Sequence, residues 1–555
     1  MKRFAAVILG IIVIISGAGC QVGEPDSEPD QNAAETLATA TLPPPSEESP
    51  ADTIRVAIRP EDDFHPLFPK HYATFSLLQL VYETLFDVTY DGRLEGVLAG
   101  SYRWSPDGLE CWIGLEEDHY FHNGQAVTAE DARASLEQYL AFITAGEVDN
   151  VQAGPLNSFF QFTSFSGLER WRLQGYQNIH SSRVSEEGDL VITLNKADPL
   201  LPRLLLFPIV PESAAKIRSM NPPAGSGEWQ VESYSAGGLV LAREGDGSVR
   251  RIEALVYPTA VEAAYGFDQG EIDLLLMDPS ETALYADRSR IRKQRLEDGG
   301  YISLFFNDRQ GGALTNRDAL LYVLGADPEL ASMAAPFAYA GYPVFRGDFR
   351  LGGTAIPPVS VIKMPEGFGS TDSDTLDDEA GKPVTPDRPS FNLLVPQGLV
   401  PASLIDRLST AFLKINRKLI VHYIEADDWQ SALSQGRYDA ALLVDVARFF
   451  PDPADYLDGL HALGLFSWTG EGGAGDQAVL QQARLVSLEL TGRLENNVSS
   501  TAYAGSIFRT FESLPVAGLA ATGTMVWYSI DVEGTMAGTW RKPYRGVEDL
   551  LVWRR

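Results

Sequence analysis

Apolar and polar residues alternate along this chain in short, regular runs. Ile54, Val56 and Ile58 recur at period two, which predicts a strand over 54–58 that Pro60 closes. From 75 to 86 the apolar positions Leu77, Leu78, Val81, Tyr82 and Leu85 follow helical spacing, with Ser76 as the N-cap. Tyr90-Asp91-Gly92 marks a hairpin turn. His122-Asn123-Gly124 marks another, after a strand over 109–115. Thr128 and Asp131, three residues apart, form a capping pair that starts a helix ending near Leu140.

From there strands and helices take turns. Strands are predicted over 190–195, 252–257, 272–277, 301–306, 419–423 and 440–444, and helices over 261–269, 317–325, 401–416 and 429–435. Such alternation argues for an α/β fold with parallel sheets. A glycine-rich acidic patch over 367–381, with Asp372, Asp374, Asp377, Asp378 and Glu379, reads as a surface loop.

The N-terminus differs in kind. Lys2 and Arg3 precede an apolar run over 4–16, followed by Gly17-Ala18-Gly19-Cys20. That run falls short of the roughly 20 residues of a membrane span, so 1–19 reads as an export signal. The small residues before Cys20 resemble a bacterial lipobox, although Gly17 stands where leucine is usual. The resemblance implies a lipid on Cys20. An ordinary cleaved signal and an uncleaved anchor are the alternatives. Residues 20–52 hold eight acids, no Lys or Arg and few large apolar side chains. They cannot bury a core and read as a disordered stalk, spanning roughly 30 Å as a flexible chain. A tether implies a folded body working at the outer face of a bacterial membrane.

Composition narrows the class. The 555 residues allow three or four domains. A hydrophobic fraction of 45% with mean hydropathy −0.09 excludes wholesale disorder and a multi-span membrane protein. A net charge of −31 argues against nucleic acid as a partner, since phosphate binding needs a basic footprint. With two cysteines, Cys20 and Cys111, a disulfide framework and a Cys₄ metal site are excluded, and Cys111 reads as a buried structural thiol. His119 and His122 flank a turn, and His65 and His71 share a loop. Neither pair carries the ligand set of a metal centre. The chain contains no GxSxG elbow, no GxxxxGK[ST] loop and no strand-anchored GxGxxG. Gly225-Ser226-Gly227 leads into a strand instead of a helix. These residues point to no catalysis, no metal and no cofactor. Phe64, Tyr72, Phe449, Phe450, Phe466 and Trp468 fall in predicted loops, where aromatics serve as core plugs or as walls of a ligand cleft.

The block FHNGQAVTAED, with Phe121, His122, Gly124, Thr128, Ala129 and Asp131, resembles the family 5 extracellular solute-binding proteins. These are the oligopeptide, dipeptide and nickel receptors of ABC importers. Weaker blocks follow in order over 225–244, 270–276, 301–327 and 436–457. The resemblance implies a type II periplasmic-binding architecture: two lobes joined by a hinge, with an extra subdomain. Lobe one would combine 53–90, 206–297 and 516–555, its second subdomain 91–205, and lobe two 298–515. It further implies capture of a peptide or peptide-like solute by a monomer that delivers it to an ABC permease, with no chemistry on the ligand. In peptide receptors of the family an Asp two positions before the proline of the 451–453 segment meets the peptide amine. Here that position is Phe449, between Arg448 and Phe450. Arg448 would meet a carboxylate, and Phe449 and Phe450 an apolar group, so a blocked, hydrophobic or acidic ligand is expected. A sensor lipoprotein of the same fold is the alternative.

Overall fold

The computed structural model describes residues 50–61, 63–68, 71–89, 93–144, 176–219, 221–277, 291–307, 312–326, 376–377, 383–384, 389–400, 402–444, 460, 465, 485, 514–539 and 541–554. Residues 49–555 form one compact unit.

The alternation at the start of the body gives β1 (Thr53–Ile58), with Ile54, Val56 and Ile58 buried. Next come α1 (Tyr72–Leu78), β2 (Phe86–Val88), β3 (Leu94–Gly96), β4 (Ala99–Trp104), β5 (Glu110–Leu115), α2 (Ala129–Thr144), β6 (Ile179–Val184) and β7 (Leu190–Leu194). A single turn, α3 (Glu212–Ala215), leads to β8 (Gln230–Ser235), β9 (Gly238–Ala242), β10 (Arg251–Val256), α4 (Ala260–Asp268), β11 (Leu274–Met277) and β12 (Arg292–Phe306). After α5 (Ala313–Ala326) come β13 (Leu376–Asp377), β14 (Pro383–Val384), β15 (Ser390–Pro396), α6 (Ala402–Lys414), β16 (Lys418–Ile424), α7 (Ala426–Gln435) and β17 (Ala440–Val444). The chain ends with β18 (Val516–Tyr528), β19 (Val532–Glu533) and β20 (Leu551–Val552).

Ten strands make one sheet, in the order β16-β15-β17-β12-β18-β11-β1-β10-β9-β8. At one end β15 pairs parallel with β16 and β17; towards the other end β1 pairs parallel with β10 and β11. The two parallel sets are joined through the antiparallel pair β12 and β18. Each set has its own core. Phe391 packs between Phe306 and Phe412, with ring centroids 6.2 and 4.6 Å away, in one. Ile54, Val56, Leu77, Trp229 and Leu241 belong to the other. A four-stranded sheet, β4-β5-β7-β6, shares that second core through Cys111, Ile113 and Ile192.

The helix predicted over 75–86 is placed differently. α1 begins at Tyr72 with His71 as N-cap, and Ser76 lies buried inside it. It stops at Leu78 because the next carbonyls are taken elsewhere: Gly227 N–H donates to Val81 O at 2.8 Å and Trp229 N–H to Leu80 O at 3.2 Å. Val81, Tyr82 and Leu85 stay apolar and buried without being helical. Within the acidic patch, β13 pairs with β14 beyond it, and the rest of 367–381 lies outside the described residues. Cys111 is fully buried, and burial pushes its thiol up to about 12.

Candidate functional site

The strand register locates a crevice. β1, β10 and β11 run the same way, and the carboxyl end of β11 places Met277 opposite Met525 of β18. Beyond Met525, β18 leaves this set, pairing its Thr524 and Gly523 with Leu296 and Glu297 of β12. β17 approaches from the other side, with its carboxyl end, Val444, opposite Ile302 of β12. β15 runs parallel to β17, so its carboxyl end faces the same way. The carboxyl ends of both parallel sets therefore point at the short stretch where β12 and β18 pass from one core to the other. The β12 register shifts there, between Glu297 and Tyr301, as strands do where they bend. Ligands of open α/β sheets bind outside the carboxyl ends of the strands. Here two such edges share one crevice, spanned by two strands.

The loop after β1 follows a carboxyl end that faces the same way as that of β11, and a buried polar network fixes it. Asp63 accepts from His65 N–H at 3.0 Å and pairs with Arg218 at 3.1 Å. The His65 ring uses both nitrogens on the backbone: Nδ1 accepts from Leu67 N–H at 3.3 Å, and Nε2 lies 3.3 Å from Ala214 O. Burial holds this imidazole below its ordinary pKa. It is therefore a structural residue. Glu61 and His71 pair across the two ends of the loop. The Glu61 carboxylate accepts from His71 N–H at 3.1 Å and lies 3.2 Å from its Nδ1, while the His71 ring is partly exposed. The His65–His71 loop thus holds carboxylate–imidazole and backbone pairs. Among the described residues no group of three or more His, Cys, Asp or Glu is arranged to hold a metal.

A second contact ties the sequence blocks together. Phe121 N–H donates to Gln125 O at 2.8 Å, closing the turn. His122 then docks on the glycine segment: its N–H donates to Gly225 O at 2.7 Å, and Nε2 lies 2.8 Å from Gly227 O. The glycines are required because that segment also lies against the end of α1. An added Cβ on Gly225 would fall 2.1 Å from Val81 O, and on Gly227 2.5 Å from Leu80 O. Thr128 and Asp131 make the expected reciprocal cap at 2.9 and 3.4 Å, and the other Asp131 oxygen accepts from Glu212 N–H at 2.7 Å. His119 lies 3.6 Å from Glu83. The two histidines of the HxxH spacing therefore serve different partners.

Of the residues picked from sequence, Phe64 is 2% exposed and belongs to the core. It is a plug, the other role open to a loop aromatic. Tyr72 begins α1 and packs half-buried on the same core. Arg448, Phe449, Phe450, Phe466, Trp468 and Cys20 lie outside the described residues. Sequence reasoning missed Glu61 and His71 as a pair. The available signal was a charged residue three positions past a strand that ends at the crevice. A cavity of about 710 Å³ lined by Arg55, Asp273, Arg292, Tyr528 and Ile530 is elsewhere. Arg292 opens β12 and Tyr528 closes β18, so it sits at the far ends of those strands from the crossing.

An α/β body with two parallel sets facing each other across two crossing strands defines a type II periplasmic-binding fold. Residues 93–463 match the family model described as bacterial extracellular solute-binding proteins, family 5 Middle, and the chain belongs to that family. Comparison with curated proteins finds no match. Among solved structures, the chain is similar to NikA from Brucella suis, crystallised with Fe(III)-EDTA, at 17% identity and TM-score 0.58, covering 90% of this chain and 99% of that one. An ABC transporter substrate-binding protein from Sinorhizobium meliloti gives 16% identity and TM-score 0.60, covering 90% and 100%. The periplasmic murein tripeptide-binding protein MppA, in its unliganded open form, gives 14% identity and TM-score 0.60, covering 92% and 99%.

Proposed function

We propose that this chain is a lipid-anchored receptor that closes two lobes over a peptide or peptide-like solute and delivers it to an ABC permease. The observation that carries the reading is the convergence of both sets of strand ends on one crevice. Closing it excludes water from the ligand without any reaction, and the ligand shifts an open–closed population by its greater affinity for the closed state. Lobe one combines 53–90, 206–297 and 516–555, with 91–205 as a subdomain, and lobe two takes 298–515. Cys20 carries the lipid, and 20–52 keep the body within reach of the membrane. No cofactor takes part.

Support for a ligand at this edge comes from chain length. Arg448 and Phe450 follow Val444 by four and six residues, within about 14 and 21 Å of fully extended chain. Arg448 pairs with a ligand carboxylate, and Phe449, Phe450, Phe466, Trp468 and Tyr72 contribute apolar wall. Phe449 offers no carboxylate to a free amine, so blocked or acidic peptides are preferred. Structural neighbours support the reading in breadth: one is a murein tripeptide-binding protein and another was crystallised with a metal chelate.

Calorimetric titration with matched peptides, amine-free and amine-blocked, tests the reading. Blocked or acidic peptides are expected to bind at least as tightly as free ones, and Arg448→Ala to weaken acidic ones. Strict preference for a free amine would refute the role given to Phe449. Silence across peptides, sugars and chelates would refute solute capture.

A further inference from the structure

The cavity of about 710 Å³ at the far ends of β12 and β18 is a groove of binding-site size. Phe267 from α4, Ile291 just ahead of β12 and Val532 from β19 give it an apolar lining. Ile530 stands at its lip, 90% exposed. The turn that carries Ile530 is firmly held. Ser529 N–H donates to Asp273 O at 2.9 Å, Asp531 N–H to Ser529 Oγ at 3.2 Å, and Trp553 N–H to Asp531 O at 2.7 Å. Arg292 lies over the Tyr528 ring at 4.1 Å and donates to Gly534 O at 2.5 Å and Val532 O at 2.7 Å. Ile530 is thus presented to solvent on ordered backbone, which lowers the entropic cost of covering it.

The exposed apolar surface continues onto α4. Val261, Tyr265 and Asp268 recur at i, i+4 and i+7, so they share one helix face. Val261 is 67% exposed and Tyr265 64%, and Asp268 lines the groove. Single exposed apolar residues are ordinary, whereas a stripe of them running into a groove marks an interaction surface.

The charges select the occupant. Both arginines that line the groove are committed: Arg55 to Asp273 at 2.6 Å, and Arg292 to the two carbonyls of the turn. Asp531 and Glu533 line it too, and among the described residues neither carboxylate has a cation partner. Such a rim repels nucleic acid and an anionic bilayer, and attracts lysine and arginine.

We propose that this groove docks a basic segment of a partner protein, with a lysine or arginine on Asp531 and Glu533 and an aliphatic side chain against Ile530 and Phe267. The groove lies at the strand ends away from the crossing and does not depend on what the crevice holds.

Fluorescence anisotropy with a labelled short peptide of alternating lysine and leucine, acetylated and amidated, tests it. The wild type is compared with Ile530→Ser, which removes the exposed apolar contact, and with Asp531→Asn combined with Glu533→Gln, which removes the charge. These side chains reach solvent, so the fold is kept. The peptide is expected to bind the wild type below millimolar concentration, to weaken as salt rises, and to weaken about tenfold in each variant. No binding to the wild type at millimolar concentration overturns the proposal. So does unchanged affinity in either variant, the result for a peptide held in the crevice instead. Equal binding of a serine–leucine counterpart overturns the basic class of partner.

Discussion

Replacing Asp273 by alanine removes the group that fastens β1 to β11. Its carboxylate is 3% exposed and meets the Arg55 guanidinium twice, at 2.6 and 3.1 Å. One oxygen also accepts the Arg55 backbone N–H at 2.8 Å, extending the strand ladder by a side-chain rung. Arg554 approaches at 3.7 Å. Breaking a buried pair from one side costs about 3–5 kcal/mol. The Arg55 side chain is 25% exposed, so water takes over part of its bonding and the lower end applies. The orphaned N–H in mid-sheet adds about 1–3 kcal/mol that water cannot recover. Asp273→Ala should therefore lose about 4–6 kcal/mol in urea unfolding at neutral pH. Asp273→Asn keeps an acceptor for the N–H and should lose roughly half as much. A double-mutant cycle with Arg55→Ala should return a coupling of about 1–3 kcal/mol. A loss below about 1 kcal/mol for Asp273→Ala, with unchanged m-value, would refute the reasoning.

Gly225→Ala forces a Cβ to within 2.1 Å of Val81 O, a backbone atom with little room to give; thermal unfolding should show a loss of about 1–3 kcal/mol. Asp87 is paired with Arg541 at 3.2 Å and Lys542 at 2.7 Å. Burial alone would raise its pKa, but the two cations outweigh burial and hold it below the ordinary value. That contribution is present above the unfolded pKa of about 3.9 and is lost as pH falls through the folded value. Asp87→Asn should thus be less stable than wild type at pH 7, and the gap should close in strong acid; a gap independent of pH contradicts the pairing. Cys111, buried and pushed up to about 12, should resist alkylation at pH 8 in the native protein and react once urea unfolds it, read by peptide mass spectrometry.

Much of the fold was legible because hydrophobic period and burial agree. Residues 440–444 form the strand that the apolar run predicts, end to end, because β17 is buried on both faces. The strand over 54–58 and the cap at Thr128 are likewise announced by residues close in sequence. What failed to show depends on distant partners. The first half of β12 reads Arg-Lys-Gln-Arg, a sequence with no strand signal, and is a strand because β18 pairs with it from Arg292 onward. β18 is rich in Ala and Gly and was equally silent. These two strands join the cores, so the feature that positions the site was the least visible one. The Glu61–His71 pair was hidden for a similar reason: the residues are ten apart and meet only because α1 starts at Tyr72. The family blocks were legible as a pattern, and the contact of His122 with Gly225 and Gly227 supplies a physical reason for two of them.

Native mass spectrometry of residues 49–555, purified without unfolding, tests solute capture most directly. The unit is compact on its own, so it should carry its ligand through purification. The account predicts a bound mass, or a ladder of peptide masses, released on denaturation and lost from Arg448→Ala when the ligand is acidic. A chain that arrives empty, and whose melting temperature no peptide or peptide-like solute raises, would contradict it.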